Sequence, residues 1–362
     1  MQNMAILVGA RPNYMKAAPL WRVAGEEAPD VTRTLVHSGQ HYDRQMSDVF
    51  FGDLAMPEPD ICLNVGSGSH AEQTARVMMA LEPVLVDLAP DVLVVVGDVN
   101  STLAGALTAA KLGIPVAHVE AGLRSFDRAM PEEINRMATD AISDILLTSC
   151  RDADANLARE GVPAEKVHFV GNIMIDSLVQ VLPHLERSDI LDDLGLGKER
   201  YVCVTLHRPS NVDDPVKLKD IMDALYAVSD QAPVVFPVHP RTRKALDGAG
   251  WTPASDSLRL LEPLGYLDFM RLTTCSAAVI TDSGGIQEET SYLGIPCLTV
   301  RENTERPVTI TEGTNRLIGA AKDEIVGAAR EILAADRPPP PEIELWDGKT
   351  AGRILEVLTS AV

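Results

Sequence analysis

The chain alternates short apolar runs with longer segments in which apolar and polar residues follow a helical period. The apolar runs have the length of a buried strand, and the segments between them have the length of a helix, as in Ser101–Leu112 (STLAGALTAAKL). Strands that are apolar throughout are typical of a parallel sheet covered by helices on both faces. Six such runs come first and are predicted to be strands: Met4–Gly9, Arg33–His37, Asp91–Gly97, Ile114–Val119, Asp144–Thr148 and Val167–Gly171.

The alternation starts again in the second half of the chain. A polar stretch, Glu186–Lys198, separates the two series, so we expect a domain boundary between Gly171 and Glu199. We predict an α/β protein of two Rossmann-like, doubly wound domains, residues 1–172 and 173–348, with a C-terminal helix at about 349–362 that packs back on the first domain. The second series contains five predicted strands: Arg200–Leu206, Val234–Val238, Leu258–Leu261, Ala277–Thr281 and Pro296–Val300.

Length and charge agree with this organisation and exclude two classes of partner. The chain has 362 residues, which is enough for two domains at roughly 100–200 residues each. Its net charge of −20 argues against a general nucleic-acid or anionic-membrane binder, because both functions need a basic face. The charge does not exclude an anionic ligand in a local basic pocket.

The spacing of cysteine and histidine argues against a disulfide framework and a metal centre. Five cysteines stand far apart without a CxxC pair, which is typical of reduced thiols in a cytosolic protein. No HExxH motif occurs, and a glycine interrupts the segment between His37 and His41. The first residues lack the pattern of a signal peptide, and the apolar runs are shorter than the ~20 residues of a membrane span. We therefore expect a cytoplasmic protein without a metal.

Candidate functional residues are those that follow the predicted strands, because doubly wound sheets bind ligands at the carboxyl ends of their strands. With two such domains, the cleft between them is the expected site. After the first strand, a glycine turn brings Arg11 and Lys16 to the entrance of a helix, where two cations suit an anion. The spacing is not GxGxxG, so a dinucleotide fingerprint is absent. A surface turn with solvated charges is the alternative.

Carboxylates follow the next pair of strands. Asp98 and Glu120 come after strands that one helix connects, and a right-handed crossover places both strand ends at one edge of the sheet. Such a pair can transfer protons if burial raises a pKa, or each acid can simply cap the helix that follows. Glu132 and Arg136 are four residues apart and share a helical face, either as a surface ion pair or as part of the cleft.

Histidines follow strands in the second half of the chain. His207 and Arg208 come after its first strand, and His239 comes after its second. A histidine can protonate or hydrogen-bond a departing phosphate near neutral pH. The alternative is a loop histidine with structural hydrogen bonds.

A glycine turn in the second half is a stronger signal. Ser283, Gly284 and Gly285 end a strand and open a helix, so free backbone N–H groups and the helix dipole form a phosphate cradle. Glu289 lies further along that helix, within reach of a ribose diol. Arg306 adds a cation after the next strand.

Taken together, the motifs resemble the non-hydrolysing UDP-N-acetylglucosamine 2-epimerases. The resemblance extends from Gly9 to Lys349, and ten ordered segments are far more specific than any single one. These segments are GARPNYMKAAP, HSGQHYD, GDVNST, HVEAGLRS, MPEEINR, GNIMID, TLHRPSN, TDSGGIQEE, RENTERP and WDGK.

The resemblance implies a reaction and assigns roles to residues. It implies interconversion of UDP-GlcNAc and UDP-ManNAc by anti elimination of UDP to 2-acetamidoglucal and re-addition of UDP, with no metal or nicotinamide cofactor. It also implies a glycosyltransferase-B-like fold, with two domains facing each other across a cleft, and a homodimer. The matching catalytic positions are Asp98, Glu120, Glu132, His207 and Arg136. The matching UDP-binding positions are Arg11, Lys16, Phe269, Ser283, Gly284, Gly285, Glu289 and Arg306.

Several members of that family use a second UDP-GlcNAc as an activator. The positions that match the activator site are Gln40, His41, Arg208 and His239. Many bacterial members read Arg-Arg-Glu-Asn where this chain reads Arg-Pro-Ser-Asn at 208–211. We therefore expect weak or absent dependence on an activator.

Four alternatives to this reaction stay open at the level of the sequence. A hydrolysing epimerase would release free ManNAc, and a relative acting on a UDP-2,3-diacetamido-uronate would need an extra cation near C-6. A glycosyltransferase with the same fold would transfer the sugar to an acceptor. A non-catalytic UDP-sugar sensor would not need three carboxylates, which makes it the weakest alternative.

Overall fold

The computed structural model describes residues 1–9, 11–39, 57–197, 201–252 and 255–361, and of Arg11 and Pro12 only the backbone. These residues form two compact units. The first unit comprises Met1–Gln180 and Glu344–Val362, and the second comprises Val181–Ile343. Each unit is built around its own parallel sheet.

The sheet of the first unit has seven strands among the described residues, in the order β3-β2-β1-β4-β5-β6-β7. The strands are β1 (Asn3–Val8), β2 (Thr32–His37), β3 (Ile61–Cys62), β4 (Val92–Val96), β5 (Val116–Ala121), β6 (Ile145–Thr148) and β7 (Val167–Phe169). The helices that follow in chain order are α1 (Arg11–Glu27), α2 (His70–Leu88), α3 (Asn100–Leu112), α4 (Pro131–Ile142), α5 (Arg151–Arg159) and α6 (Ile173–Val181), with a 3₁₀ turn at Ala164–Lys166.

The sheet of the second unit has six described strands, in the order β10-β9-β8-β11-β12-β13. They are β8 (Val202–Thr205), β9 (Val234–Pro237), β10 (Leu258–Leu261), β11 (Ala278–Thr281), β12 (Cys297–Val300) and β13 (Asn315–Ile318). After a 3₁₀ turn at Leu182–Arg187, the helices are α7 (Ile190–Asp193), α8 (Pro209–Val212), α9 (Pro215–Ser229), α10 (Pro240–Gly248), α11 (Tyr266–Thr274), α12 (Gly284–Leu293), α13 (Val308–Thr311) and α14 (Lys322–Ala334). The last helix, α15 (Thr350–Ala361), belongs to the first unit.

The strand orders confirm the predicted α/β class with two doubly wound parallel sheets. In each sheet the order reverses beside the first strand, between β1 and β4 in one unit and between β8 and β11 in the other. Ligands of such sheets bind outside the carboxyl ends of the strands at this switch point. Each unit therefore has one sheet edge that is a candidate ligand site. It consists of the residues after β1 and β4 in the first unit and of those after β8 and β11 in the second.

The apolar runs form the cores because every residue of a central strand is covered. All five residues of β4, VLVVV, are buried, and Leu93 and Val95 pack with Leu81 and Leu85 of α2. Each fully buried residue of this kind stabilises the fold by about 1.5–3 kcal/mol. Among the described residues, none of the helices combines the length and the apolar character that crossing a membrane requires.

Two strands lack the apolar run that predicts a strand. β3 has only two residues, Ile61 and Cys62, and β13 reads NRLI, with an exposed Arg316 in the middle. Each lies at an edge of its sheet, where one side has no neighbouring strand among the described residues and polar residues are tolerated.

The compact units divide between Gln180 and Val181, which lies within the predicted boundary region Gly171–Glu199 but after the predicted domain limit at 172/173. The chain returns to the first unit at Glu344 instead of about 349. Helix α6 accounts for the difference. Its Asp176 accepts hydrogen bonds from the backbone N–H groups of Thr350 (3.0 Å) and Ala351 (2.7 Å), which open α15. The hydroxyl of Ser177 donates to the carbonyl of Met15 on α1, so α6 is tied to both terminal segments of the first unit.

Candidate active site

Glu120 occupies an unusual backbone position at the carboxyl end of β5. Its φ is +71°, a left-handed conformation that side chains other than glycine adopt at a cost of roughly 1–3 kcal/mol. The pairing of β5 with β6 shifts register between Val119 and Ala121, so Glu120 is the extra residue of a bulge. Bulges re-aim a side chain next to active sites. Here the carboxylate is directed to the ammonium group of Lys16 on α1, and both residues are buried.

Gly97, which follows β4, keeps the space beside this ion pair open. Its φ is +70°, and a Cβ atom there would lie 3.1 Å from the Lys16 ammonium and 3.6 Å from a carboxylate oxygen of Glu120. The Gly97 N–H donates to the carbonyl of Val119 at 3.1 Å. A side chain at this position would crowd the pair, so the glycine is needed for both its conformation and its size.

Asp98 stands beside this pair at the end of β4. One carboxylate oxygen contacts the guanidinium of Arg136 on α4, and the amide of Asn135 donates to the Asp98 carbonyl at 3.0 Å. The Asp98 side chain is 26% exposed, whereas that of Arg136 is 3% exposed. The structure thus brings four predicted residues, Lys16, Asp98, Glu120 and Arg136, to the carboxyl ends of neighbouring strands.

The acid on α4 that pairs with Arg136 differs from the expected Glu132. Arg136 instead pairs with Glu133 at 3.1 Å, three residues earlier, and Glu132 is exposed. The buried Glu133 also accepts hydrogen bonds from the N–H groups of Ser125 (2.9 Å) and Phe126 (3.0 Å). On a helix, residues three and four positions before Arg136 both lie near it. Glu133 is the one that pairs with Arg136, because the N–H groups of Ser125 and Phe126 hold its carboxylate. The loop donors could not be located from sequence alone.

The sequence predicts that Lys16 binds an anionic ligand. In the structure its partner is a carboxylate of the protein. Its ammonium group neutralises Glu120, and both side chains are less than one-tenth exposed. Each charge needs the other in this buried position, because a buried charge without a partner is strongly destabilising. The side chain of Arg11, and the whole of Gln40 and His41, lie outside the described residues.

His207 lies at the carboxyl end of β8 in the second unit. Its backbone N–H donates to Asp282 at 3.0 Å, and its Nδ1 lies 3.2 Å from the same carboxylate, while the side chain stays 40% exposed. The rings of His207 and His239 are 5.5 Å apart between centroids. Burial opposes ionisation of Asp282, but His207 and the backbone donors outweigh it and lower the pKa of that carboxyl. His207 is therefore a positioned and partly exposed imidazole.

Beside His207, three arginines and two acids form a cluster in which opposite charges are paired. Glu305 is buried and accepts from Arg301 at 2.8 and 2.9 Å, with Arg208 and Arg306 each at 3.4 Å. Burial opposes its ionisation, yet the hydrogen bonds and charges of the three arginines hold the pKa of Glu305 far below its usual value. The Nε of Arg306 also lies 2.9 Å from Glu288. Arg306, predicted as a cation for phosphate, is thus held by two acids.

The predicted phosphate cradle is a helix entrance. Ser283 precedes α12 in extended conformation and makes no side-chain cap, and Gly284 and Gly285 form the first turn. A Cβ atom on Gly284 would lie 2.6 Å from the guanidinium of Arg306. The free N–H groups of this turn and the nearby guanidinium suit an anion.

Glu289, predicted to reach a ribose diol, lies deeper in α12. It is 2% exposed and accepts from the hydroxyl of Tyr266 at 2.8 Å. Burial raises the pKa of Glu289 to about 7, with a further contribution from the charge of Glu288 and an opposing one from Tyr266. Phe269, predicted for the uracil, is partly buried in the apolar cluster of the second unit.

Arg208 and His239, predicted for an activator, have structural contacts. The Nε of Arg208 donates to the carbonyl of Asp282 at 3.0 Å, and burial lowers the pKa of its guanidinium. His239 precedes α10, and its ring accepts from the N–H of Arg241 at 3.2 Å. In the part of the chain that the structure describes, no three histidine, cysteine or acidic side chains come together as a metal site would require.

Comparisons with known proteins identify the family of the chain. The family model described as UDP-N-acetylglucosamine 2-epimerase matches residues 24–359. A protein of Methanococcus maripaludis named UDP-N-acetylglucosamine 2-epimerase homolog is 42% identical over 361 residues, covering 98% of this chain and 99% of its own. A UDP-2,3-diacetamido-2,3-dideoxy-D-glucuronate 2-epimerase of Pseudomonas aeruginosa is 43% identical over 331 residues, covering 90% of this chain and 91% of its own.

A solved structure is similar over the whole chain. The UDP-GlcNAc 2-epimerase of Methanocaldococcus jannaschii, in complex with UDP-GlcNAc and UDP, matches with a TM-score of 0.92 and 39% identity, covering 99% of this chain and 100% of its own. These matches confirm the resemblance that the motifs predict. The chain belongs to the UDP-N-acetylglucosamine 2-epimerase family and is an isomerase.

Proposed function

We propose that this isomerase inverts C-2 of UDP-GlcNAc to give UDP-ManNAc, reversibly and without releasing the free sugar. The observation that carries the proposal is the pair of carboxylates at adjacent strand ends, with Glu120 re-aimed by a bulge and Asp98 held by Arg136. Inversion at a carbon that carries a weakly acidic proton needs an acid and a base on opposite faces. Asp98 and Glu120 are two separately positioned carboxylates that can meet this requirement.

The reaction we propose has two balanced steps. A carboxylate removes the C-2 proton while the bond between C-1 and the UDP oxygen breaks, so that 2-acetamidoglucal and UDP form. The UDP oxygen then adds again to C-1, and C-2 receives a proton on the other face. Departure of UDP places negative charge on its phosphate, which the helix entrance at Ser283–Gly285 and the partly exposed His207 are suited to stabilise.

Incubation with UDP-GlcNAc in deuterated water tests this proposal. NMR should show UDP-ManNAc with deuterium at C-2 of the sugar and no accumulation of free ManNAc. Free ManNAc and UDP as the products would establish hydrolysis instead. Transfer of the sugar to an acceptor without deuterium at C-2 would establish a glycosyltransferase.

A second substrate is favoured by a specific observation. The Pseudomonas aeruginosa relative named for a diacetamido-glucuronate is as similar to this chain as the UDP-N-acetylglucosamine 2-epimerase homolog. Its substrate carries an additional carboxylate at C-6, which needs a cation that the neutral hydroxymethyl group does not need. The ratio of kcat/KM for the two UDP-sugars decides between them, and a higher value for the uronate would replace our first substrate.

Activator dependence is tested with the reverse substrate. We propose that UDP-ManNAc alone is converted at a substantial initial rate. An absolute requirement for added UDP-GlcNAc would contradict this, since it would show that a second nucleotide-sugar must bind before turnover.

A further inference from the structure

His118 is a fully buried histidine that the proposed chemistry does not use. It lies on β5, two residues before Glu120, with no exposed surface. Its Nδ1 is 2.7 Å from a carboxylate oxygen of Asp140, and its Nε2 is 2.7 Å from the carbonyl oxygen of Gly97. A carbonyl oxygen can only accept, so Nε2 donates to Gly97, while Nδ1 forms the bond with Asp140. The ring therefore joins helix α4, strand β5 and the end of strand β4.

Asp140 uses its second oxygen to hold the chain on the other side of Glu120. This oxygen accepts from the N–H of Gly122 at 3.1 Å and from the guanidinium of Arg124 at 2.7 Å. Arg124 is itself held by Glu160 at 2.6 Å. Burial opposes ionisation of Asp140, but His118 and Arg124 outweigh it and keep the pKa of this carboxyl below its usual value.

The contacts of this pair surround the candidate catalytic carboxylates. Gly97 directly precedes Asp98, whereas His118 and Gly122 stand two residues before and after Glu120. Asp140 lies on α4, the helix that also carries Glu132 and Arg136. The buried carboxylate of Asp140 is thus connected, directly or through His118, to the backbone segments that carry Asp98 and Glu120.

Glu120 needs such support because its backbone is strained. A residue with φ of +71° in a bulge keeps that conformation only where the surrounding structure holds it. The only described side chain that bonds both the carbonyl of Gly97 and the carboxylate of Asp140 is His118. Loss of either bond frees the segment that directs Glu120 towards Lys16.

We propose that His118 and Asp140 are positioning residues that hold Asp98 and Glu120 at the separation the reaction requires. The inference rests on the proposed function, since it concerns the same site. Neither residue needs to touch the substrate. Their effect is exerted through the backbone at Gly97 and Gly122.

The test compares His118→Gln and Asp140→Asn with wild-type protein. We expect kcat to fall by about 10²-fold, because a misplacement of reacting groups by 1 Å has that effect. KM for UDP-GlcNAc and the Kd of UDP should change by less than about twofold, because six of the eight predicted UDP-binding positions lie in the second unit. Thr139→Val is the matched control, since Thr139 is equally buried on α4 and its hydroxyl has no hydrogen-bond partner among the described residues.

Several outcomes would overturn the inference. Folded variants with unchanged kcat would do so, and so would a kcat loss matched by an equal loss in Thr139→Val. If a variant does not fold, ¹⁵N NMR of histidine-labelled wild-type protein replaces it. A hydrogen on Nε2 of His118, bonded to the Gly97 carbonyl, is expected, and a bare Nε2 contradicts the proposed bond. Wild-type protein that exchanges no C-2 hydrogen would instead refute the proposed function.

Discussion

Glu120 combines a strained backbone with a fully compensated charge, and the two features have different consequences. The strain aims the carboxylate, while the ammonium group of Lys16 compensates its charge in a buried position. A base in this setting is preorganised before substrate arrives, so no reorganisation is needed at the moment of proton transfer.

Glu120→Gln is expected to lose turnover and some stability, because it leaves the buried Lys16 without its counter-charge. The amide retains the shape of the side chain but cannot take a proton, so kcat should fall on the order of 10²–10⁴-fold. Initial rates with UDP-GlcNAc measure the effect, and circular dichroism checks the fold. Glu82→Gln, at an exposed position of α2, serves as the control. A folded Glu120→Gln enzyme with wild-type kcat would remove Glu120 from the mechanism.

Glu289 is expected to make stability depend on pH. Its pKa is raised by burial from 4.5 to about 7, so between these values the folded protein holds a proton that the unfolded chain has released. The contribution of Glu289 to the free energy of unfolding is complete below pH 4.5 and is lost as the pH rises to about 7. The difference corresponds to roughly 3 kcal/mol.

Glu289→Gln should remove this pH dependence, because glutamine accepts the hydrogen bond from Tyr266 without a charge. Urea unfolding at about pH 5 and about pH 8 should show a variant that gains stability relative to wild type at the higher pH. Glu312→Gln, an exposed position, is the control. Parallel pH profiles of wild type and Glu289→Gln would contradict the raised pKa.

Helix α12 illustrates how an element is adapted to a ligand at its first turn. Its entrance has no side-chain cap, and the Arg306 guanidinium fills the space where a Cβ atom of Gly284 would stand. Uncapped N–H groups at a helix start are unsatisfied until a partner arrives. An anionic ligand is the natural partner there.

Gly284→Ala should weaken nucleotide binding for this reason. The new methyl group meets Arg306 at 2.6 Å and forces the guanidinium away from the helix entrance. We expect the Kd of UDP, measured by calorimetry, to rise about tenfold, which corresponds to 1.4 kcal/mol. Gly327→Ala in α14 is the matched control, because its Cβ atom meets nothing within 4 Å. Equal affinities of the two variants would show that the turn does not hold UDP.

At the scale of the whole molecule, the chain is divided into units that each bury a core. The second unit is continuous, Val181–Ile343, whereas the first needs both ends of the chain. Helix α15 packs on α1, and the indole of Trp346 donates to the carbonyl of Ser149 at 3.0 Å.

This division predicts different behaviour of two fragments. Residues 181–343 should fold alone, with a single cooperative transition in urea and measurable UDP binding. Residues 1–180 should be much less stable than the same residues covalently linked to 344–362, since α15 and the bonds from Asp176 are missing. Circular dichroism and urea titration measure both. A stable 1–180 fragment, or an unfolded 181–343 fragment, would contradict the division.

The sequence by itself determined the class of fold, the first and central strands of each sheet and the strand ends that carry Asp98, Glu120, His207 and Ser283. These features follow from the local alternation of apolar and polar residues, and hydrophobic burial acts on that pattern wherever the chain folds. The ten motifs also identified the family, because their order is specific even where each motif alone is weak.

Only the tertiary structure decided which charges meet. The sequence could not show that Lys16 pairs with Glu120, that Arg136 selects Glu133, or that His118 joins Gly97 to Asp140. Lys16 and Glu120 lie on different elements, as do His118 and its two partners, and loop donors hold Glu133 beside Arg136 on α4. The choice of partner therefore depends on packing distances of a few ångströms. The bulge at Glu120 has the same origin, since register is a property of two paired strands and neither strand carries it alone.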